Sequence, residues 1–350
     1  LKIVFSPIHG TGITLVPSAL EKFGFENITL VSEQAQPDGN FPTVIYPNPE
    51  EAEALEIALK TAKLIDADLV LATDPDADRV GIAAKNSDHE FKLLNGNQTA
   101  ALLMYYLLTQ WKENGQLKGR EYIVKTIVTT ELISAIAAHF NVPCLDTLTG
   151  FKYIAEKIRL LESTQTFIGG GEESYGYLIG DKVRDKDAVM SCAMIAELTA
   201  WAKGKNKTLF DLLLDLWMEF GLYQEGLISI TKKGKTGAHE IQEIMKTLRN
   251  TPPIFLNDLR VTDIIDYSNL THLETKTKKT IPLDSHKSNV LQFITEDGSR
   301  ISIRPSGTEP KIKIYFSVHS KLKKESELIE KKGQLDTRIS KLSESLLKHF

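Results

Sequence analysis

The sequence predicts an α/β protein in which two similar α/β domains with mixed, largely parallel sheets precede an α+β domain with an antiparallel sheet. Three observations carry that prediction. Short β-branched or apolar runs alternate with helical stretches over residues 1–206. Beyond them the strands crowd together, and Asp297-Gly298 reads as a hairpin turn between two alternating runs. Strand–helix–strand order implies right-handed crossovers and parallel neighbours in the first part, and hairpins imply antiparallel ones in the last.

Lys2–Ser6, Ile28–Val31 and Asp68–Ala72 are the first strands. Between the second and third of these a helix is expected to start at Asn48, with Pro49 in its first position and Glu51 as the capping acid. Leu55, Ala58, Leu59 and Ala62 would form its apolar stripe. The pattern then repeats. A helix near Gln98–Trp111 leads to the strand Tyr122–Val128, and helices follow near Glu131–Phe140 and Phe151–Leu161. The strand Thr166–Gly169 enters a glycine-rich loop, and an apolar helix near Ala188–Lys203 closes this half. In the last part, Gly226–Thr231, Val261–Ile265, Asn289–Thr295, Ser299–Ile303 and Lys311–Ser317 read as strands, with Leu291 and Phe293 facing Ile301 and Ile303. Helices near Ala238–Arg249 and Lys323–Leu347 flank them.

A length of 350 residues suits two or three domains, drawn here at 1–91, 92–206 and 207–350. A formal net charge of −4 gives no hint of nucleic-acid affinity, so Lys232-Lys233-Gly234-Lys235 and Lys276-Thr277-Lys278-Lys279 read as solvated loops. Cys144 and Cys192 are too few for a disulfide framework and fit a reducing, cytoplasmic compartment. No apolar run is long enough to span a membrane and no signal peptide is visible. The chain opens on Leu1, and Leu1–Phe5 already reads as a buried strand. The expectation is a piece of a longer polypeptide, cut at a domain boundary.

Asp74-Pro75-Asp76-Ala77-Asp78-Arg79 is the most informative segment. Three carboxylates at alternate positions of an extended backbone can turn towards one point, and unpaired they repel one another. A hard divalent cation such as Mg²⁺, which takes oxygen ligands, would satisfy them. The segment follows a buried strand, where open α/β sheets bind ligands. Arg79 can balance charge or grip a phosphate. An EF-hand loop would need Gly and Glu where Arg79 and Lys85 stand. A haloacid-dehalogenase-type phosphatase would carry Thr or Val where Asp78 stands.

Gly169-Gly170-Gly171-Glu172-Glu173-Ser174-Tyr175-Gly176 joins glycines, which allow close approach and positive φ, to a carboxylate and a hydroxyl suited to sugar hydroxyls. Arg304-Pro305-Ser306-Gly307-Thr308-Glu309 joins a guanidinium fork to hydroxyls and successive N–H groups, a phosphate-site pattern. Thr149-Gly150-Phe151-Lys152 opens a helix whose N–H groups could meet an anion. Val183-Arg184-Asp185-Lys186-Asp187 precedes an apolar helix, and a solvated helix start accounts for it as well as a catalytic role does.

In this order the segments resemble the α-D-phosphohexomutase family, of the phosphoglucomutase/phosphomannomutase type. The resemblance spans the chain and is weak between the motifs. It implies four domains around a cleft, of which residues 1–91, 92–206 and 207–350 would be the second, third and fourth. It further implies that Asp74, Asp76 and Asp78 hold Mg²⁺ and that Arg79 lies near the transferring phosphate. Glu172 and Ser174 would bind sugar hydroxyls, and Gly150, Lys152 and Arg184 would contact substrate. Lys186 would be a general acid/base, and Arg304, Ser306, Gly307 and Thr308 would hold the non-transferring phosphate. The implied reaction interconverts glucose 1-phosphate and glucose 6-phosphate through a phosphoserine and glucose 1,6-bisphosphate, with mannose or pentose phosphates as alternative substrates. Two departures stand out. The family's Ser-His-Asn-Pro nucleophile segment is absent, since Ser6-Pro7-Ile8-His9 sits at a strand end in the wrong domain. The implied partner is therefore an upstream N-terminal domain, without which this chain should not turn over. Pro75 and Ala77 also replace the glycines of the commoner Asp-Gly-Asp-Gly-Asp form. Two other classes stay open: a metal-dependent sugar phosphatase with Asp74 as nucleophile, and a non-catalytic sugar-phosphate-binding protein.

Overall fold

In the computed structural model the first sheet is built on two buried parallel strands, β1 (Ile3–Ser6) and β3 (Leu69–Thr73), whose residues are all shielded from water. This burial on both faces is why they read as unbroken apolar runs. Between them in sequence lie α1 (Val16–Lys22), β2 (Ile28–Leu30) and α2 (Glu56–Leu64). β4 (Val80–Lys85) and β5 (Phe91–Leu94) complete the sheet, in the order β2-β1-β3-β4-β5. The β2–β1–β3 pairings are parallel and the β3–β4–β5 pairings antiparallel. The structure describes residues 1–232, 234–307 and 309–350, with 234 and 235 described by backbone alone.

The second sheet follows the same plan. α3 (Gly96–Glu113) precedes β6 (Glu121–Thr126), α4 (Leu132–His139), β7 (Cys144–Thr147), α5 (Phe151–Leu161), β8 (Thr166–Gly171) and β9 (Tyr177–Ile179). The order is β7-β6-β8-β9, parallel except for the β8–β9 hairpin. α6 (Ala188–Gly204) is apolar almost all round because it is buried all round: it touches β3 and β4 of the first sheet, β9 of the second, α1 and α3. Both sheets fall in one compact unit, Leu1–Leu216, and α7 (Leu209–Phe220) carries the chain into a second, Trp217–Phe350.

The second unit is an antiparallel sheet with two long helices. Its elements are β10 (Leu222–Thr231), α8 (Gly234–Asn250), β11 (Phe255–Leu256), β12 (Leu259–Asp266), β13 (Thr271–Glu274), β14 (Lys279–Pro282), β15 (Leu291–Thr295), β16 (Arg300–Pro305), β17 (Lys311–Ser320) and α9 (Leu328–Leu347). The sheet order is β10-β17-β16-β15-β12-β13-β14, with β11 beside β12. Leu291 pairs with Ile303 and Phe293 with Ile301, as the alternation around Asp297-Gly298 requires. Among the described residues no helix is long and apolar enough to cross a membrane.

Two expectations need correction. The helix expected at Asn48 starts at Glu56, after a 3₁₀ turn at Ala52–Leu55. Asn48 does accept the Glu50 N–H, at 3.1 Å, but it caps a turn. Pro49 is buried there and lies directly against the backbone of Gly81 in β4, so tertiary packing overrides the helix start. The glycines at 169–171 lie inside β8 and none has positive φ. A Cβ at Gly170 would stand 2.3 Å from the Val124 carbonyl oxygen, so the close approach is to the neighbouring strand β6.

Phe293 is fully shielded at the centre of the second unit's sheet. Phe293→Ala should lower that unit's stability by about 3–5 kcal/mol through lost burial and the cavity left behind. Urea unfolding curves will read this, and a loss below about 1 kcal/mol would mean that the sheet is not a packed core.

Candidate functional site

The connection between β3 and β4 is a tight hairpin loop, Asp74–Arg79, closed by the Thr73–Val80 pair. It stands at the carboxyl end of parallel strand β3, where such sheets offer their sites. A turn, rather than an extended backbone, makes its carboxylates converge. Ala77 takes φ +57°, its N–H bonds the Asp74 carbonyl at 3.1 Å, and the chain reverses. Oxygens of Asp74, Asp76 and Asp78 then lie within 4.8 Å of one another. Ala77 thus adopts the left-handed conformation that a glycine would take more easily.

Asp74 is buried, and its Oδ1 accepts the backbone N–H groups of Asp78 (3.0 Å) and Arg79 (2.9 Å). Those bonds favour the carboxylate, but burial outweighs them and the neighbouring Asp78 and Asp76 charges add to it, so its pKa is pushed up to about 7. Arg79 Nε lies 3.8 Å from Asp74 Oδ2 and 3.7 Å from Asp78 Oδ1, and its Nη1 lies 3.6 Å from Glu50. Asp78 Oδ1 is shielded from water and accepts no hydrogen bond from the described residues. A shielded carboxylate oxygen beside two more carboxylates is what a hard cation satisfies. The donor set is all oxygen, which suits Mg²⁺ or a similar ion.

The second hairpin loop, between β8 and β9, lies against the first. Arg79 and Gly176 form an antiparallel bridge, and the Val80 N–H bonds the Tyr175 carbonyl at 3.1 Å. Tyr175 is left-handed, with φ +68°. Glu172 is buried, and it accepts the Gly150 N–H at 2.8 Å, which ties this loop to the start of α5. Glu173 accepts the hydroxyls of Thr126 (3.3 Å) and Thr129 (3.4 Å). Ser174 is half-buried in the same turn.

Lys186 arrives from the segment before α6, whose N-cap Asp187 accepts the Met190 N–H at 3.1 Å. Its Nζ lies 2.7 Å from Asp78 Oδ2 and 3.1 Å from Asp185, and 5.5 Å from the centre of the Phe151 ring. Burial alone would lower its pKa, yet the hydrogen bonds to Asp78 and Asp185 prevail and raise it. So placed, Lys186 is an ammonium, a group that can give a proton or hold an anion.

Asp74, Asp76, Asp78, Arg79, Gly150, Glu172, Ser174 and Lys186 are thus gathered within the first unit. Lys152 is exposed on the first turn of α5, with its Nζ 4.9 Å from the Tyr153 ring. Arg184 is not brought to these loops. It pairs with Glu162 at 2.6 Å, at the far end of α5, a helix about 16 Å long. Arg304, Ser306 and Gly307 belong to the second unit. Arg304 is half-buried opposite Lys313 where β16 pairs with β17. The Ser306 N–H bonds the Lys311 carbonyl at 2.7 Å, and Ser306, Gly307 and Glu309 border a hollow of about 560 Å³ beneath α8. Thr308 lies outside the described residues.

Sequence reasoning missed two contributors to these loops and one buried lysine. Glu50, which falls between the Pro49 and Glu51 of the expected helix start, pairs with Arg79. Glu173, read only as part of a sugar loop, anchors that loop on β6. Lys125, fully buried, is held at 2.8 Å by both Glu131 and Asp146, and these outweigh burial to raise its pKa. A lysine inside the run Tyr122–Val128 was the available signal for the last.

Three sequence-family models match the chain. Residues 1–87 match "phosphoglucomutase/phosphomannomutase, alpha/beta/alpha domain II", residues 95–220 match domain III of the same family, and residues 231–328 match its C-terminal domain. A phosphoglucomutase of Staphylococcus aureus strain N315 is 40% identical over 320 residues, covering 91% of this chain and 57% of the relative. That of strain MRSA252 is 40% identical over 318 residues with the same coverage. The chain thus spans somewhat more than half the length of these relatives. Among solved structures, the open form of the Paramecium pp63/parafusin phosphoglucomutase matches with a TM-score of 0.68 at 20% identity, over 100% of this chain and 58% of that one. A phosphoglucomutase/phosphomannomutase family protein of Burkholderia thailandensis gives 0.64 at 17%, over 100% and 60%. At these identities the likeness carries the fold.

The raised pKa of Asp74 has a thermodynamic consequence. With chelator present, the folded chain keeps a proton on Asp74 up to about pH 7, whereas an unfolded aspartate has released it by about pH 4. Stability should therefore fall as pH rises through that window. Asp74→Asn should remove this part of the slope. Melting in EDTA at about pH 5 and about pH 8 reads it, and equal slopes for both proteins would refute the assignment.

Proposed function

Because the chain belongs to the α-D-phosphohexomutase family, we propose that it carries the metal, sugar and phosphate sites of a phosphoglucomutase that interconverts glucose 1-phosphate and glucose 6-phosphate. The domains assigned are 1–91, 92–206 and 207–350, and the nucleophile serine is assigned to an upstream domain of the same cytoplasmic polypeptide. The observation that supports this most is the junction of the two hairpin loops, in which Arg79 meets Gly176 and Lys186 reaches Asp78. It supports reading the aspartate cluster as the cation site, the β8–β9 loop as the sugar site and Lys186 as the proton-bearing group beside them.

Asp74, Asp76 and Asp78 would hold Mg²⁺, which when bound neutralises charge on a phosphoryl group in transfer. Arg79 faces the same carboxylates and would add its positive charge to that neutralisation. Lys186 holds a proton on Nζ and, once free of Asp78, can give it to the oxygen that a phosphoryl group leaves, or hold that oxygen by a hydrogen bond. Glu172 keeps one carboxylate oxygen on the Gly150 N–H, which fixes the orientation of the other. Glu172 and Ser174 are assigned to sugar hydroxyls, with Gly150 and Lys152 at their side. Arg304, Ser306, Gly307 and Thr308 are assigned to the phosphate that stays put. A fixed clamp at one end lets the sugar turn over between the two half-reactions, with glucose 1,6-bisphosphate as the intermediate. Arg184 joins this set only by leaving Glu162.

The test is a coupled mutase assay on the polypeptide extended upstream, with Mg²⁺ and a trace of glucose 1,6-bisphosphate. Glucose, mannose and ribose 1-phosphates are compared, and the present chain serves as control. Turnover is expected in the extended protein alone, fastest with glucose. There Asp76→Asn should cut kcat at least about a hundredfold. No turnover in the extended protein would sink the proposal, and free phosphate released by both proteins would point to a phosphatase instead.

A further inference from the structure

The segment Ser6-Pro7-Ile8-His9-Gly10-Thr11 has no part in the reading above, yet it is built with unusual care. Ile8 and His9 are consecutive non-glycine residues in the left-handed region, with φ +44° and +58°. Such backbone persists only where its surroundings impose it. They do so here. Both side chains are buried. The Ile8 N–H bonds Ser6 Oγ at 3.1 Å, and Ser6 Oγ in turn donates to Gln34 Oε1 at 2.6 Å. The His9 N–H bonds the Gln34 carbonyl at 2.9 Å, and the Asp38 N–H bonds the His9 carbonyl at 3.0 Å. The imidazole is held at both nitrogens, by the Gln36 carbonyl at 3.2 Å and Thr43 Oγ1 at 2.8 Å.

The turn presents its far side to one peptide of the cation loop. The Pro75 carbonyl oxygen accepts two hydrogen bonds from Thr11, from N–H at 2.8 Å and from Oγ1 at 3.0 Å. Gly10 lies flat against the same residue, and a Cβ there would stand 2.3 Å from Pro75 Cα and 2.6 Å from its oxygen. Only glycine allows that approach. The two loops meet because both leave carboxyl ends of adjacent parallel strands, β1 and β3.

We infer that the His9–Gly10–Thr11 turn is the positioning element of the cation loop: it fixes the Pro75 peptide, and so the reach of the carboxylates on either side, Asp74 and Asp76. It touches no ligand itself. This rests on the reading of Asp74, Asp76 and Asp78 as a divalent-cation site.

Mn²⁺ binding to the present chain, measured by calorimetry, tests it. Gly10→Ala should weaken the affinity about 10- to 100-fold, the range for groups that orient metal ligands. Thr11→Val should weaken it by a smaller factor and Thr11→Ser restore it. Gly39→Ala, where a methyl meets nothing within 4 Å, should leave it unchanged. Melting curves in EDTA identify a Gly10→Ala protein that fails to fold, in which case the Thr11 pair decides. Wild-type binding that persists undiminished in Gly10→Ala or in Thr11→Val overturns the positioning role alone. A wild-type chain that takes up no Mn²⁺ overturns the cation site and the positioning role together.

Discussion

The structure of the first unit turns on a local excess of negative charge. Three aspartates converge within 4.8 Å at the end of a buried strand, and one of them is itself buried. Repulsion and desolvation both oppose that arrangement. It stands because the hairpin supplies two N–H groups to Asp74 and its own Arg79 to Asp74 and Asp78, and because the segment before α6, distant in sequence, brings Lys186 to Asp78. The two sheets are joined at this point by the Arg79–Gly176 bridge and behind it by α6. The route of the chain through the unit delivers those counter-charges.

Much of this was legible in the sequence where the signal is local. Apolar runs gave β1 and β3, the alternation around Asp297-Gly298 gave the β15–β16 register, and carboxylates at fixed spacing gave the cluster of Asp74, Asp76 and Asp78. What was not legible depends on contact between distant segments. β4 and β9 follow loops rich in polar residues, and nothing local marks them as antiparallel partners that fold back on β3 and β8. The helix start at Asn48 had the right residues in the right order, but Pro49 is claimed by Gly81. The glycines of β8 looked like a ligand-facing loop because spacing alone does not distinguish a ligand's approach from that of a neighbouring strand. Arg184 carries the right charge in the right motif, and Glu162 holds it elsewhere.

The balance of charge at the loop junction bears on the chemistry. Among the described residues Arg79 is shared between Asp74, Asp78 and Glu50, while Lys186 is shared between Asp78 and Asp185. With Asp76 added, two cations face five carboxylates. The pKa of Asp74 is raised first by its burial, and the charges of Asp78 and Asp76 add to that rise. A phosphoryl group entering such a site would meet net repulsion, whatever hydrogen bonds it gained. A divalent cation held by the three aspartates would remove most of the deficit in positive charge and favour the carboxylate form of Asp74. It would also loosen the hold of Asp78 on Lys186, since the carboxylate that draws the ammonium would then be shared with a stronger charge. On the proposed reading, cation uptake, accommodation of phosphate and release of the lysine would be one electrostatic event, because all three would draw on the same few oxygens.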